Sequence, residues 1–180
     1  MDASKPWKNL RDLYNCPWFF GQLSEENATK ILTEALQKDG NLGLKFILFL
    51  KTVKRPSGQN QFTLVSGHIW QHASLNGQLK NEVNFLYDKN CKLGSYCDCY
   101  FRINSAMKNP FLNQLVKRKN PFSLEELAKV SKATSGVIIE TLVLPKTIKD
   151  ELKKYQALNK SFISAVISNK LQCEMKYIPK

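Results

Sequence analysis

The stretch NPFSLEELAKVSKATSGVIIETLVLPKTIKDELKKY, Asn120–Tyr155, decides how this chain is read. Ser123-Leu124-Glu125-Glu126 has the form of a capping box. In such a box the Ser side chain and the Glu three residues later satisfy each other's free backbone donors, so a helix opens here. Leu124, Leu127, Ala128 and Ser131 then share one face by three-and-four spacing. A Leu142-Val143-Leu144-Pro145 step follows. Pro145 can start a second helix, with Ile148, Leu152 and Tyr155 along its face. Phe162, Ile163, Val166 and Ile167 suggest a third. Two helices this short cannot bury an apolar face between themselves, so the face needs a partner outside them. Residues 120–156 read as a small all-α unit and 157–180 as a helical extension or tail.

Upstream the pattern changes. Residues 1–16 form a polar lead-in with one apolar-spaced piece, Leu10, Leu13 and Tyr14. Pro17-Trp18-Phe19-Phe20-Gly21 reads as a short extended segment closed by Gly. Ser24 caps a helix whose apolar positions, Ala28, Ile31, Leu32, Ala35 and Leu36, form one face. Glu25 and Glu26 sit where the helix dipole favours them, and Gly40 stops the helix. Leu44–Val53 is apolar on both faces and predicts a buried central strand. Strands follow at Gln61–Trp70 and Glu82–Tyr87, separated by the turns Arg55–Asn60 and Leu75–Gln78. A turn at Asp88-Lys89-Asn90 and a short return, Cys91-Lys92-Leu93, come next. A second helix is placed roughly at Tyr96–Met107. The expected architecture for 17–119 is α+β, an antiparallel sheet flanked by two helices.

The chain has 180 residues, 43% hydrophobic and 11% aromatic, enough for a core. No apolar run approaches the roughly 18 residues of a membrane span. The first residues, Met1 to Lys8, are polar and lack a signal-peptide core. Five cysteines without a regular framework fit free thiols in a reducing compartment, so a cytoplasmic protein is expected. The formal charge of +12 favours anionic partners. The basic residues are scattered, however, and no nucleic-acid motif accompanies them.

With both halves in view, the chain resembles the suppressor of cytokine signalling (SOCS) family: a degenerate SH2 domain followed by a SOCS box. Ser123-Leu124-x-x-Leu127-Ala128 looks like the elongin-binding BC box. Leu142, 19 positions after Ser123, opens Leu142-Val143-Leu144-Pro145-x-x-Ile148-Lys149-Asp150-x-Leu152-x-x-Tyr155, which is similar to the cullin-5 box. Trp18-Phe19-Phe20-Gly21-x-Leu23-Ser24-x-x-x-Ala28-x-x-x-Leu32 resembles the start of an SH2 domain, and Val83–Tyr87 its fourth strand. The departures are Ala128 for the commoner Cys, Val143 for the first Pro of the cullin box and Lys132 for an apolar residue. The resemblance implies that Leu124, Leu127 and Ala128 meet elongin B/C, with Leu124 in a pocket. Leu142, Leu144, Pro145 and Ile148 would face cullin-5 and its RING subunit.

An SH2 domain grips phosphotyrosine with an Arg in its second strand, because the guanidinium fork binds two phosphate oxygens together. No Arg stands there. One alignment places Phe49 at the site. Sliding by two places Lys51 there, with Lys54 and Arg55 on the adjoining loop. Glu25 occupies the helix position that often supplies another Arg. The expectation is thus an adaptor that recruits a cullin-RING ubiquitin ligase to a signalling protein, such as a cytokine receptor or kinase, and dampens JAK–STAT signalling. Whether Lys51 still binds phosphate stays open.

Cys91, Cys97 and Cys99 with His68 and His72 could suggest zinc, and lentiviral Vif proteins combine a similar box with zinc. The Cys-x-Cys spacing differs from the usual Cys-x-x-Cys, so neither metal nor other cofactor is expected. A Vif-like viral adaptor and a basic nucleic-acid-binding protein remain the alternatives. No phosphate loop, nucleophile elbow or metalloprotease motif supports an enzyme.

Overall fold

The computed structural model describes residues 9–39, 44–54, 57–58, 60–73, 78–86 and 113–176. The chain opens with a short helix, α1 (Leu10–Tyr14), capped by the Asn9 side chain. Strand β1 (Phe19–Gln22) and helix α2 (Glu25–Asp39) follow. Ser24 accepts a hydrogen bond from the Asn27 N–H, the cap expected from the sequence. Three longer strands come next: β2 (Leu44–Lys54), β3 (Asn60–Ala73) and β4 (Leu79–Leu86). After β5 (Asn113–Leu115) the chain turns helical, with α3 (Leu124–Thr134), a 3-10 turn (Ile139–Thr141) and α4 (Lys146–Lys176).

The class is α+β, but the sheet is mixed rather than purely antiparallel. β2, β3 and β4 form an antiparallel meander, with Phe49 opposite Val65 and Gly67 opposite Phe85. β1 and β5 both run parallel to β2 along its other edge, at Leu48–Leu50 and Leu44–Phe46. A parallel neighbour needs a crossover connection, and α2 supplies it between β1 and β2. The three-residue β5 is too short to leave a strand pattern in the sequence.

β2 divides the interior. Ile47 and Phe49 point to one side and pack with Ala28, Leu32 and Leu36 of α2, together with Val65 and Ile69. Phe46, Leu48 and Leu50 point to the other side, where they meet Leu10, Leu13 and Tyr14 of α1, Val130 and Ala133 of α3, and Tyr155 and Leu158 of α4. The unbroken burial from Lys45 to Leu50 is the expected two-faced central strand.

The C-terminal helices thus share a core with the sheet. The lead-in contributes to that core: Leu10 and Leu13 are fully buried. A five-residue helix cannot hold itself together, and burial worth about 1.5–3 kcal/mol per leucine holds it here. The second and third helices suggested by the sequence are one continuous helix, α4, since nothing between Tyr155 and Phe162 breaks it. The helix placed at Tyr96–Met107 lies outside the described residues. No helix among the described residues is long and apolar enough to cross a membrane.

Candidate protein-docking site

α3 is built to show one face and bury another. Its N-terminus is capped by Ser123, whose hydroxyl accepts from the Glu126 N–H at 3.2 Å. The reciprocal half of the capping box is not formed. The Glu126 carboxylate instead accepts a hydrogen bond from the Tyr14 hydroxyl at 3.0 Å. At the other end Ser135 is the C-cap and Gly136 follows with φ of 76°, the left-handed conformation that ends helices and that glycine adopts without a Cβ clash.

Val130 and Ala133 lock the inner face into the core. The outer face carries Leu124, 86% exposed, Leu127, 37% exposed, and exposed Ala128. Three of the residues singled out from the sequence are therefore together on one accessible apolar surface. Leu124 gains almost nothing from folding and Leu127 keeps part of its surface open, and exposed apolar surface of this kind marks interaction sites.

A second apolar row lies beyond the 3-10 turn. Val143 is fully exposed, Leu144 is 38% exposed and Pro145 is exposed, while Leu142 and Ile148 are half-buried. Ile138, 66% exposed, sits between the two rows. Sequence periodicity misses it, because it lies in a loop between two helices.

The two rows are held by polar links. Lys129 of α3 bridges Glu125 at 2.7 Å and Glu151 of α4 at 2.8 Å, which ties the helices together. Hydrogen bonds that Lys129 donates to Glu125 and Glu151 hold its ammonium above its ordinary pKa, and the contact with Lys129 lowers that of Glu125. Gln156 donates to the Val137 carbonyl at 2.8 Å, and Lys149 to the Glu140 carbonyl at 3.1 Å. Lys153 pairs with Glu140 at 3.1 Å and lowers its pKa. The outer surface is exposed, but its frame is tied down.

Of the residues considered for a phosphate site, Phe49, Lys51 and Lys54 fall elsewhere, on β2, and Lys51 reaches the N-terminus of α2. Lys51 Nζ lies 2.6 Å from Glu25 Oε1, so a carboxylate occupies the position a phosphate oxygen would need. Lys54 is exposed, and Arg55 lies outside the described residues. Phe49 is fully buried and packs edge-on against Phe85, with ring centroids 5.8 Å apart. His68 is also buried, its ring stacked between Phe46 and Trp70. The three cysteines weighed with it lie outside the described residues. Among the described residues no His, Cys, Asp and Glu cluster could hold a metal ion.

No protein-family model matches this chain, and no curated protein matches it in sequence.

Proposed function

We propose that the protein is a SOCS-type adaptor that recruits elongin B/C and a cullin-RING ubiquitin ligase to a signalling protein. One observation carries this reading. Leu124, Leu127 and Ala128 are presented outward by a capped helix whose opposite face is locked into the core. A helix that merely covered the sheet would turn its leucines inward. Here small Val130 and Ala133 do the covering, and the leucines are left for a partner.

In this reading Leu124 is the anchor that fills an elongin C pocket, and Ala128 lets the partner helix approach. Such anchors are worth on the order of 2–4 kcal/mol each. Leu142, Leu144, Pro145 and Ile148 form the cullin-facing surface. The sheet domain, an SH2-like unit in this reading, is supported by a helix leading into a three-stranded antiparallel meander. The adaptor performs no chemistry. It holds a target lysine near the charged ubiquitin-conjugating enzyme and raises the effective concentration of the two.

The test is co-purification with elongin B/C and cullin-5. Leu124→Ala with Leu127→Ala should abolish elongin capture. Because Leu124 is almost fully exposed and Leu127 is only partly covered, the isolated chain should stay folded with at most a small drop in melting temperature. Full capture by the double variant refutes the proposal.

A further inference from the structure

We infer that the protein carries a second docking site, a basic groove on the α2 side of the sheet that takes an unphosphorylated acidic segment with an apolar side chain. The inference deepens the adaptor reading by naming a class of target, and it rests on that reading only for the consequence of docking.

The groove has a volume of about 670 Å³ and runs between α2 and the segment that leads from β5 to α3. Its floor is apolar: Ile31 and Ala35 of α2, Val116 and half-buried Phe20. Its rim is basic. Lys38 comes from the last turn of α2, and Lys117 and Lys119 come from the opposite wall. All three are exposed, and none forms an ion pair among the described residues. Arg118 does not add to the rim. Its guanidinium donates to the Phe19 and Asn120 carbonyls at 2.6 Å and lies 3.6 Å over the Phe122 ring, so it braces the wall.

Three exposed ammonium groups against one exposed carboxylate, around an apolar floor, match an acidic segment bearing an aliphatic anchor. Single-stranded nucleic acid fits less well, since it binds by stacking bases on open aromatic faces. Phe122 is covered by Arg118 and packed against Tyr14 and Phe19, and Phe20 lies within the floor. The groove is also separate from the Lys51–Glu25 pair. Lys51 belongs to the far end of β2 from Lys45, which lines the groove.

The test uses the full chain and two fluorescein-labelled 12-residue peptides, one alternating Glu with Leu and one alternating Lys with Leu, followed by anisotropy. The acidic peptide should bind and the basic one should not. Lys38→Glu, Lys117→Glu and Lys119→Glu together should weaken acidic-peptide binding more than tenfold. A control with Lys54→Glu, Lys80→Glu and Lys160→Glu carries the same change in net charge away from the groove and should lose less than threefold. Equal losses in the two triples, or stronger binding of an oligouridine probe with the same loss on groove reversal, would overturn the inference. Elongin capture is measured in parallel. Acidic-peptide binding that survives a failure of elongin capture leaves the groove standing and removes only the adaptor reading.

Discussion

The Tyr14 hydroxyl donates to Glu126 Oε1 at 3.0 Å and lies 3.4 Å from the Tyr155 hydroxyl. This contact joins α1, α3 and α4 at one point. It takes the carboxylate that the capping-box pattern assigns to Ser123, and uses it to fasten α3 to the core. Leu10 reinforces the link, because its N–H donates to Asn159 Oδ1 at 3.0 Å.

That contact predicts a pH dependence. Burial first, then the neighbouring Tyr155 and Glu126, raise the Tyr14 pKa well above its ordinary 10.0, and burial raises that of Tyr155. Folded pKa values above the unfolded ones mean the stabilisation is complete below about pH 10 and falls as pH rises beyond it. Tyr14 should cost about 1.4 kcal/mol for one pH unit above 10, and Tyr155 adds a loss of the same sign. Tyr14→Phe should be less stable at pH 7 by about 1–3 kcal/mol, because Glu126 loses its donor. It should also lose less between pH 10 and 11 than the wild type. Urea titrations at both pH values measure the difference, and parallel losses would refute it.

Gly21 should resist substitution. Its φ is 67°, and an added Cβ would sit 2.7 Å from Phe122 Cε1 and 2.8 Å from Glu126 Oε1. The left-handed conformation alone costs about 1–2 kcal/mol for a residue with a Cβ, and the clash adds to it. Gly21→Ala should therefore lower stability by at least about 2 kcal/mol in chemical denaturation.

Elongin binding should stabilise the chain. The outer leucines of α3 are a liability when uncovered. Co-expression with elongin B/C should raise soluble yield. A partner that binds only the folded state contributes about 2.7 kcal/mol at one hundred times its Kd. Equal melting temperatures with and without elongin B/C would count against the adaptor reading.

Phosphotyrosine binding should be weak and limited by Glu25. A phosphate reaching Lys51 must displace a carboxylate 2.6 Å away, and a single ammonium lacks the two-pronged grip of arginine. Glu25→Gln should strengthen binding of a phosphotyrosine peptide, and Lys51→Ala should remove it. If neither change alters affinity, Lys51 is not a phosphate site.

Local pattern determined much of this protein. The Ser24 and Ser123 caps, the α2 face of Ala28, Leu32 and Leu36, the buried run in β2 and the shared face of Leu124, Leu127 and Ala128, though not its outward orientation, follow from periodicity and side-chain chemistry within a few residues. Tertiary structure decided the rest. Sequence spacing cannot reveal that Tyr14 meets Glu126, that Lys51 faces Glu25 or that α2 and the β5–α3 segment frame a groove. Those contacts join residues far apart in the chain, and a distant partner leaves no period. Leu10 and Leu13 read as part of a lead-in for the same reason. Their spacing marks an apolar face, but only the packed fold supplies the surface that buries it.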